Sequence, residues 1–182
     1  MAPLLARRLR DIGFSKGLRA LFIRISIMGK VLKDLKTVQK DLKDLLESQP
    51  LAVLATQNKG NPYANLVAFA FSEDLKSLFF ATTRATRKYA NLTADKRVAM
   101  LADNRSNQAS DFRQAKAVTV RGRAEEIDKD RGKRFLEIYL TRHPQLEEFV
   151  TAPSCAFLRI RVDTYYLVTH FQDVIEIHVT ES

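Results

Sequence analysis

Two hydroxyls and three cations are packed into one short stretch of the chain. Thr82 and Thr83 close the apolar run LFFATT, and Arg84, Arg87 and Lys88 follow within six positions of Thr82. A phosphate calls for this set: hydroxyl and backbone donors on one side, cationic donors on the other. Arg grips two phosphate oxygens through its planar fork, whereas Lys acts as a point charge. A helix over Arg84–Asp95 would put Arg84, Arg87 and Lys88 on one face at spacings of three and four. They would occupy its first turns, where free backbone N–H groups also favour an anion. On composition alone, a solvated basic helix face accounts for these residues as well.

A second polar group lies at Asn104, Ser106, Asn107 and Gln108, directly after the strand-like run VAMLAD. Amides and hydroxyls in this density can read the edge of a heteroaromatic ring by hydrogen bonding. An ordinary exposed loop explains them equally. Both groups follow the C-terminal ends of strands, which leaves them able to meet at one barrel rim.

Other chemistries find little support. The chain has no GxGxxG, no GxxxxGK[ST] and no GxSxG, so the nucleotide fingerprints and the serine-hydrolase elbow are missing. His143, His170 and His178 stand at no metal-ligand spacing with one another or with Cys155, which argues against zinc. Cys155 has no base near it in sequence and reads as a small buried apolar residue. His178 reads as structural, and His170 stands at a strand end.

The elements that must position these residues follow from periodicity. Val31, Leu32, Leu35, Val38, Leu42, Leu45 and Leu46 recur in steps of one, three and four, predicting a lid helix over 31–49 that Pro50 ends. LAVLATQ, YANLVAFAF and LFFAT then read as strands separated by NKGNP and SEDLKS turns. A short helix within 83–97, a strand at 98–103, a polar loop at 104–115 and a long strand at 116–127 come next. Gly122 is expected to mark a bulge or bend. Helices at 129–142 and 144–150, a long strand at 155–171 and a last strand at 174–179 complete the chain. Strands do not alternate regularly with helices, which disfavours a doubly wound parallel sheet. The fold class expected is mainly β with peripheral helices: an antiparallel barrel of six or seven strands with an N-terminal helical extension.

Composition sets the outer limits. The 182 residues, 46% hydrophobic and 28% charged, suit one globular domain. One cysteine excludes an internal disulfide, consistent with a cytoplasmic protein. The net charge of +9 would suggest nucleic acid, but six of those charges fall in residues 1–30, which hold seven basic residues and one acid. The remainder has 23 basic and 20 acidic residues, so no nucleic-acid partner is expected. The domain division is therefore a basic extension at 1–30 and one domain at 31–182. The extension reads as a peripheral membrane helix, a transit segment, or a stretch upstream of a true start at Met28.

The run LAVLATQNKGNPYANLVAFAFSEDLKSLFFATTRATRKYANLTADKRVAMLADNRSNQASDF resembles the FMN-binding split barrels related to pyridoxamine 5'-phosphate oxidase. The order of motifs carries the likeness: a first strand, a Gly-Pro-type turn, a second strand, and an apolar strand ending in Thr. A basic segment with Lys, an "NL" helix and a strand opening "RV" follow. VTVRGRAEEI adds the family's Gly-x-Ala-Glu strand. The resemblance implies an FMN-binding split β-barrel and a flavin-dependent oxidoreductase. It assigns Asn65, Leu66, Val67 and Ala68 to the flavin ring, Thr82 and Thr83 to the ring and phosphate, and Arg87 and Lys88 to the phosphate. Asn104, Ser106 and Gln108 reach the cofactor from the following loop, and Arg84 is left for a substrate anion. It also implies a homodimer with the flavin at the interface and a small-molecule substrate or electron donor. The chain has no Trp, ends in VIEIHVTES rather than Arg-Leu-x-Pro, and carries Ala117 where the oxidases place Gln. The implied protein is thus a related flavoprotein with another substrate. Deazaflavin or haem, with His170 as a ligand, are the alternative cofactors, and a non-catalytic binder or sensor is the alternative function.

Overall fold

The computed structural model describes residues 35–170 and 173–179, the side chains of Leu35 and His170 excepted. The basic extension, the first residues of the lid helix and the haem-ligand reading of His170 lie outside that description. Helix α1 spans Leu35–Ser48, and its inner face, Val38, Leu42, Leu45 and Leu46, is buried. Arg142 fixes its C-terminal end by donating to the carbonyls of Leu46 (2.6 Å), Glu47 (3.0 Å) and Gln49 (2.7 Å). Those are the carbonyls a helix end leaves without internal partners, or lie just beyond them.

Strands β1 (Leu51–Asn58) and β2 (Asn61–Phe71) form a hairpin in full register from Leu51↔Ala68 to Asn58↔Asn61. Its two-residue turn has positive φ at both Lys59 (51°) and Gly60 (82°). That geometry matches the right-handed twist of the flanking strands. Then come β3 (Ser77–Thr83), α2 (Arg87–Ala94), β4 (Arg97–Asp103), α3 (Asp111–Gln114) and β5 (Ala117–Ile127). After these follow α4 (Lys133–Arg142), a 3-10 turn at Pro144–Leu146, α5 (Glu147–Thr151), β6 (Cys155–His170) and β7 (Asp173–His178).

The sheet order is β3-β2-β1-β4-β5-β6-β7, every pairing antiparallel, and β3 also pairs with β6. Six strands therefore close into a barrel and β7 extends it by one. The core is Leu54, Phe69, Leu78, Phe80, Met100, Val118, Ile160 and Tyr165 with their neighbours, sealed on one side by α1. A smaller cluster outside the barrel packs Tyr139 of α4 and Val150 of α5 against Phe79 and Phe157. The expected bulge is present: the β5–β6 register shifts between Arg121 and Gly122. A Cβ at Gly122 would lie 2.1 Å from the Arg161 carbonyl oxygen, so only glycine lets the strands approach there.

Two ladders in the barrel are short, and one of them is β1–β4, which pairs only Val53–Ala55 with Ala99–Leu101. The β2–β3 ladder covers only Phe69–Phe71 against Leu78–Phe80. From Asn61 to Ala68, β2 has no strand partner on that side, and this gap is the split in the barrel.

Candidate functional site

The gap is bounded by the first half of β2, the end of β3 and α2. Helix α2 begins at Arg87, not at Arg84, because Thr86 is its N-cap: the Thr86 hydroxyl accepts the Tyr89 N–H. The same hydroxyl lies 2.9 Å from that of Thr82 and donates to the Thr83 carbonyl (2.9 Å). Three threonines thus hold the end of β3 against the start of the helix. Arg87 and Lys88 take its first two positions, whose N–H groups have no carbonyl within the helix.

Arg84 is separated from that pair. It sits in the turn, donates to the carbonyls of Pro153 (2.7 Å) and Cys155 (3.3 Å), and forms an ion pair with Glu126. Glu126 also accepts from the Tyr89 hydroxyl (2.7 Å). The expected shared helical face of Arg84, Arg87 and Lys88 does not form, since the Thr86 cap starts the helix three residues later than Arg84. The Glu126 contact raises the guanidinium pKa further, and Arg84 is occupied in tying the turn to β5 and β6.

Arg87 and Lys88 have neither an ion pair nor a side-chain hydrogen bond among the described residues. The Arg87 guanidinium lies 5.5 Å from the centre of the Tyr63 ring. Lys88 is half-buried, and that burial lowers its pKa below the ordinary lysine value. On β2, Asn65 pairs in register with the buried Leu54 and so shares its face. Both polar atoms of the Asn65 side chain are buried with no hydrogen-bond partner. A buried amide left so costs about 1–3 kcal/mol. Val67 is buried one step along the same face, while Leu66 and Ala68 face outward.

The second polar group lies elsewhere. Three antiparallel steps separate β3 from β4, so their C-terminal ends point to opposite rims. Within one chain the two groups therefore do not meet at one rim, because strand order decides it. Asn104 accepts the Lys116 N–H (2.7 Å), and Asp111 holds Ser106 and the Gln108 N–H. All three residues are exposed. Their neighbours Arg105 and Asn107 line a cleft of about 200 Å³ with Leu51, Val53, Leu66 and Leu101. None of Thr82, Thr83, Arg87 or Lys88 borders it.

Tyr63, Thr86 and Asn91 were not singled out from sequence. The cap had a signal, a Thr directly before the RKYANL run. Tyr63 had none, since its contact with Arg87 spans the gap. Asn91 is buried and donates to the Thr56 hydroxyl (3.0 Å), pinning α2 to β1. Among the described residues no cluster of His, Cys, Asp and Glu could hold a metal, and no helix is long and apolar enough to cross a membrane.

Solved structures share this fold. A heme binding protein from Mycobacterium smegmatis superposes with a TM-score of 0.70 at 15% identity, covering 81% of this chain and 60% of that one. The chain thus spans about 60% of that relative's length. A FAD-binding protein from Mesorhizobium loti gives 0.57 at 19% identity, with 88% and 99% covered. A putative pyridoxamine 5'-phosphate oxidase from Listeria innocua gives 0.55 at 16%, with 72% and 98% covered. No curated protein matches the sequence. The sequence profile described as pyridoxamine 5'-phosphate oxidase matches residues 38–169. That span takes in the whole barrel up to the end of β6, and with it the gap, and the chain belongs to the pyridoxamine 5'-phosphate oxidase family.

Proposed function

We propose that the chain binds FMN in the gap between β2 and β3 and works as a flavin-dependent oxidoreductase on a small-molecule substrate. Thr82, Thr83, Arg87 and Lys88 hold the phosphate, and Asn65, Leu66, Val67 and Ala68 flank the ring. The observation that carries this reading is Asn65 of β2, whose amide donor and acceptor are both buried without partners. A flavin edge offers both complements, and two unpaired cations stand where its phosphate would lie. Bound flavin supplies hydride transfer; the chain supplies binding, orientation and shielding from water. The free, buried Cys155 suits the cytoplasm.

The active form in this proposal is a homodimer. Leu66, Val53, Leu101, Thr119 and Tyr166 form one register row across five strands, facing away from the core. Leu66 is 64% and Leu51 50% exposed. No described helix covers this row, unlike the outer face under α4 and α5. A two-fold partner would cover it and bring its 104–108 loop, with Asn104, Ser106 and Gln108, toward this chain's gap. Within a single chain the two groups stay on opposite rims.

Deazaflavin fits the same cationic and ring-flanking residues, and the first test separates it from FMN. Haem needs an axial ligand. Among the described histidines, the His143 ring is buried and bonded to the Phe69 carbonyl oxygen, and His178 lies beside Thr164 and Glu176; the absorption spectrum below separates haem from flavin.

The test is an absorption spectrum with mass analysis of whatever copurifies, followed by FMN titration of stripped protein. The expected result is a flavin spectrum and FMN mass. A colourless protein without FMN affinity overturns the proposal. Bound flavin that no nicotinamide or other reductant reduces would make the protein a carrier or sensor instead. For the dimer, Leu66→Arg is expected to give a monomer by analytical ultracentrifugation, with FMN affinity lost alongside. A monomeric wild-type protein that binds FMN fully would refute the assembly.

A further inference from the structure

Helix α2 meets the β1–β2 hairpin through Arg87, Asn91 and Asp95, each four residues from the next. Arg87 and Asn91 stand on one helical face, and Asp95 is the residue that caps the C-terminal end. At that end the Gln57 amide donates to the Asp95 carboxylate, while its Oε1 accepts the Gly60 N–H of the hairpin turn (2.8 Å). In the middle, the buried Asn91 Nδ2 donates to the buried Thr56 hydroxyl (3.0 Å), which donates on to the Tyr63 carbonyl (3.4 Å). At the N-terminal end the contact is of another kind: the Arg87 guanidinium over the Tyr63 ring, 5.5 Å from its centre. Tyr63 is therefore joined to α2 twice, by its backbone through Thr56 and Asn91 and by its ring through Arg87. Its ring and the Asn65 amide lie two residues apart on β2 and so on one face of the strand.

A cation held by a ring face uses its charge and keeps N–H donors for another partner. Arg87 has no ion pair or side-chain hydrogen bond among the described residues. We infer that Tyr63 is a positioning residue, holding Arg87 ready for a phosphate monoester and making the site select phosphorylated over unphosphorylated ligands. This rests on the phosphate role given to Arg87 in the function proposed above. A free arginine would have to be ordered on binding, at a cost in affinity; here the ring and the hydrogen-bonded seam order it in the folded chain. The role belongs to the ring and not to its hydroxyl, because the ring face carries the attraction for a cation.

The test is an amide NMR titration of the full chain with inorganic phosphate at constant ionic strength, beside fluorescence titrations with FMN and riboflavin. Wild type, Tyr63→Leu, Tyr63→Phe, Arg87→Ala and Tyr63→Leu/Arg87→Ala are compared, each checked for folding by circular dichroism. The expected result is saturable phosphate shifts at Arg87 and Lys88 in the wild type. Tyr63→Leu should weaken phosphate and FMN roughly fivefold, the cost of ordering one free side chain, and hardly change riboflavin. Tyr63→Phe should match the wild type. In the Arg87→Ala background Tyr63→Leu should change nothing further, because the two residues act through one contact. Equal weakening of FMN and riboflavin, a Tyr63→Leu effect that survives without Arg87, or a Tyr63→Phe loss as large as that of Tyr63→Leu would overturn the inference. So would a wild type without saturable phosphate shifts. Phosphate binding that passes this cycle in a protein with no FMN affinity would leave the inference standing and overturn the flavin reading alone.

Discussion

Arg84 and the pair Arg87–Lys88 are three residues apart and meet opposite fates. Arg84 spends its guanidinium on two carbonyls and the Glu126 carboxylate. Arg87 and Lys88 have no such partner among the described residues, although Lys88 is half-buried. The difference comes from one residue, Thr86. By capping α2 it turns the chain, leaving Arg84 to the β5–β6 side and opening the helix with Arg87, beside the Tyr63 ring of β2, and Lys88. Charge density alone would rate the three as equal; pairing separates scaffold from site.

The sharpest way to break that division is to remove the unpaired pair. Arg87→Ala/Lys88→Ala is expected to weaken FMN at least 100-fold in fluorescence titration, at about 1.5–3 kcal/mol per lost charged hydrogen bond. Its thermal midpoint should move only slightly, since the contact it removes among the described residues is the Arg87–Tyr63 cation–π pair, about 0.5–1 kcal/mol at an exposed site. A large loss of stability with FMN affinity intact would reverse the roles assigned here.

Asn65 tests the same division from the uncharged side. Replacing a buried, unsatisfied amide with an apolar group of similar size removes a penalty of about 1–3 kcal/mol. Asn65→Leu should therefore raise apo stability in urea melts by an amount of that order, while weakening FMN roughly tenfold. Reduced stability would show that the amide already has a partner and is not held open for a ligand.

Arg84→Gln should do the opposite of the double variant, lowering the melting midpoint while changing FMN affinity less than twofold. The size is modest because the ion pair with Glu126 is substantially solvent-exposed.

Periodicity and turn chemistry made the barrel legible. The strands at 51–57, 63–71 and 78–82, the Lys59–Gly60 turn and the Gly122 bulge lie where local pattern puts them, because each is settled within a few residues. The cation cluster was legible too. The fate of Arg84 was not, since its partners Glu126, Pro153 and Cys155 lie 42 to 71 positions away. Nor was the separation of the 104–108 loop from Thr82 and Thr83. That depends on how many antiparallel steps lie between two strands, a property of sheet order. The orphan state of the Asn65 side chain follows from its place on the core-facing side of β2, opposite Leu54, and has no local sequence signal.

The smallest expected effect is the dependence on pH, and its sign separates Lys88 from an ordinary surface lysine. Burial lowers its pKa in the folded chain, so near that value the unfolded state binds more protons than the folded one. Stability then rises with pH through the window just below the usual lysine pKa, because the folded state is relieved of a desolvated charge. FMN affinity should run the other way. The phosphate needs Lys88 charged, so binding weakens as pH climbs through the same window. Lys88→Arg removes the titration while keeping the charge. Parallel FMN titrations at rising pH should show the wild type losing affinity before the variant does. If both fall together, Lys88 does not carry the phosphate, and Arg87 with the threonines must hold it alone.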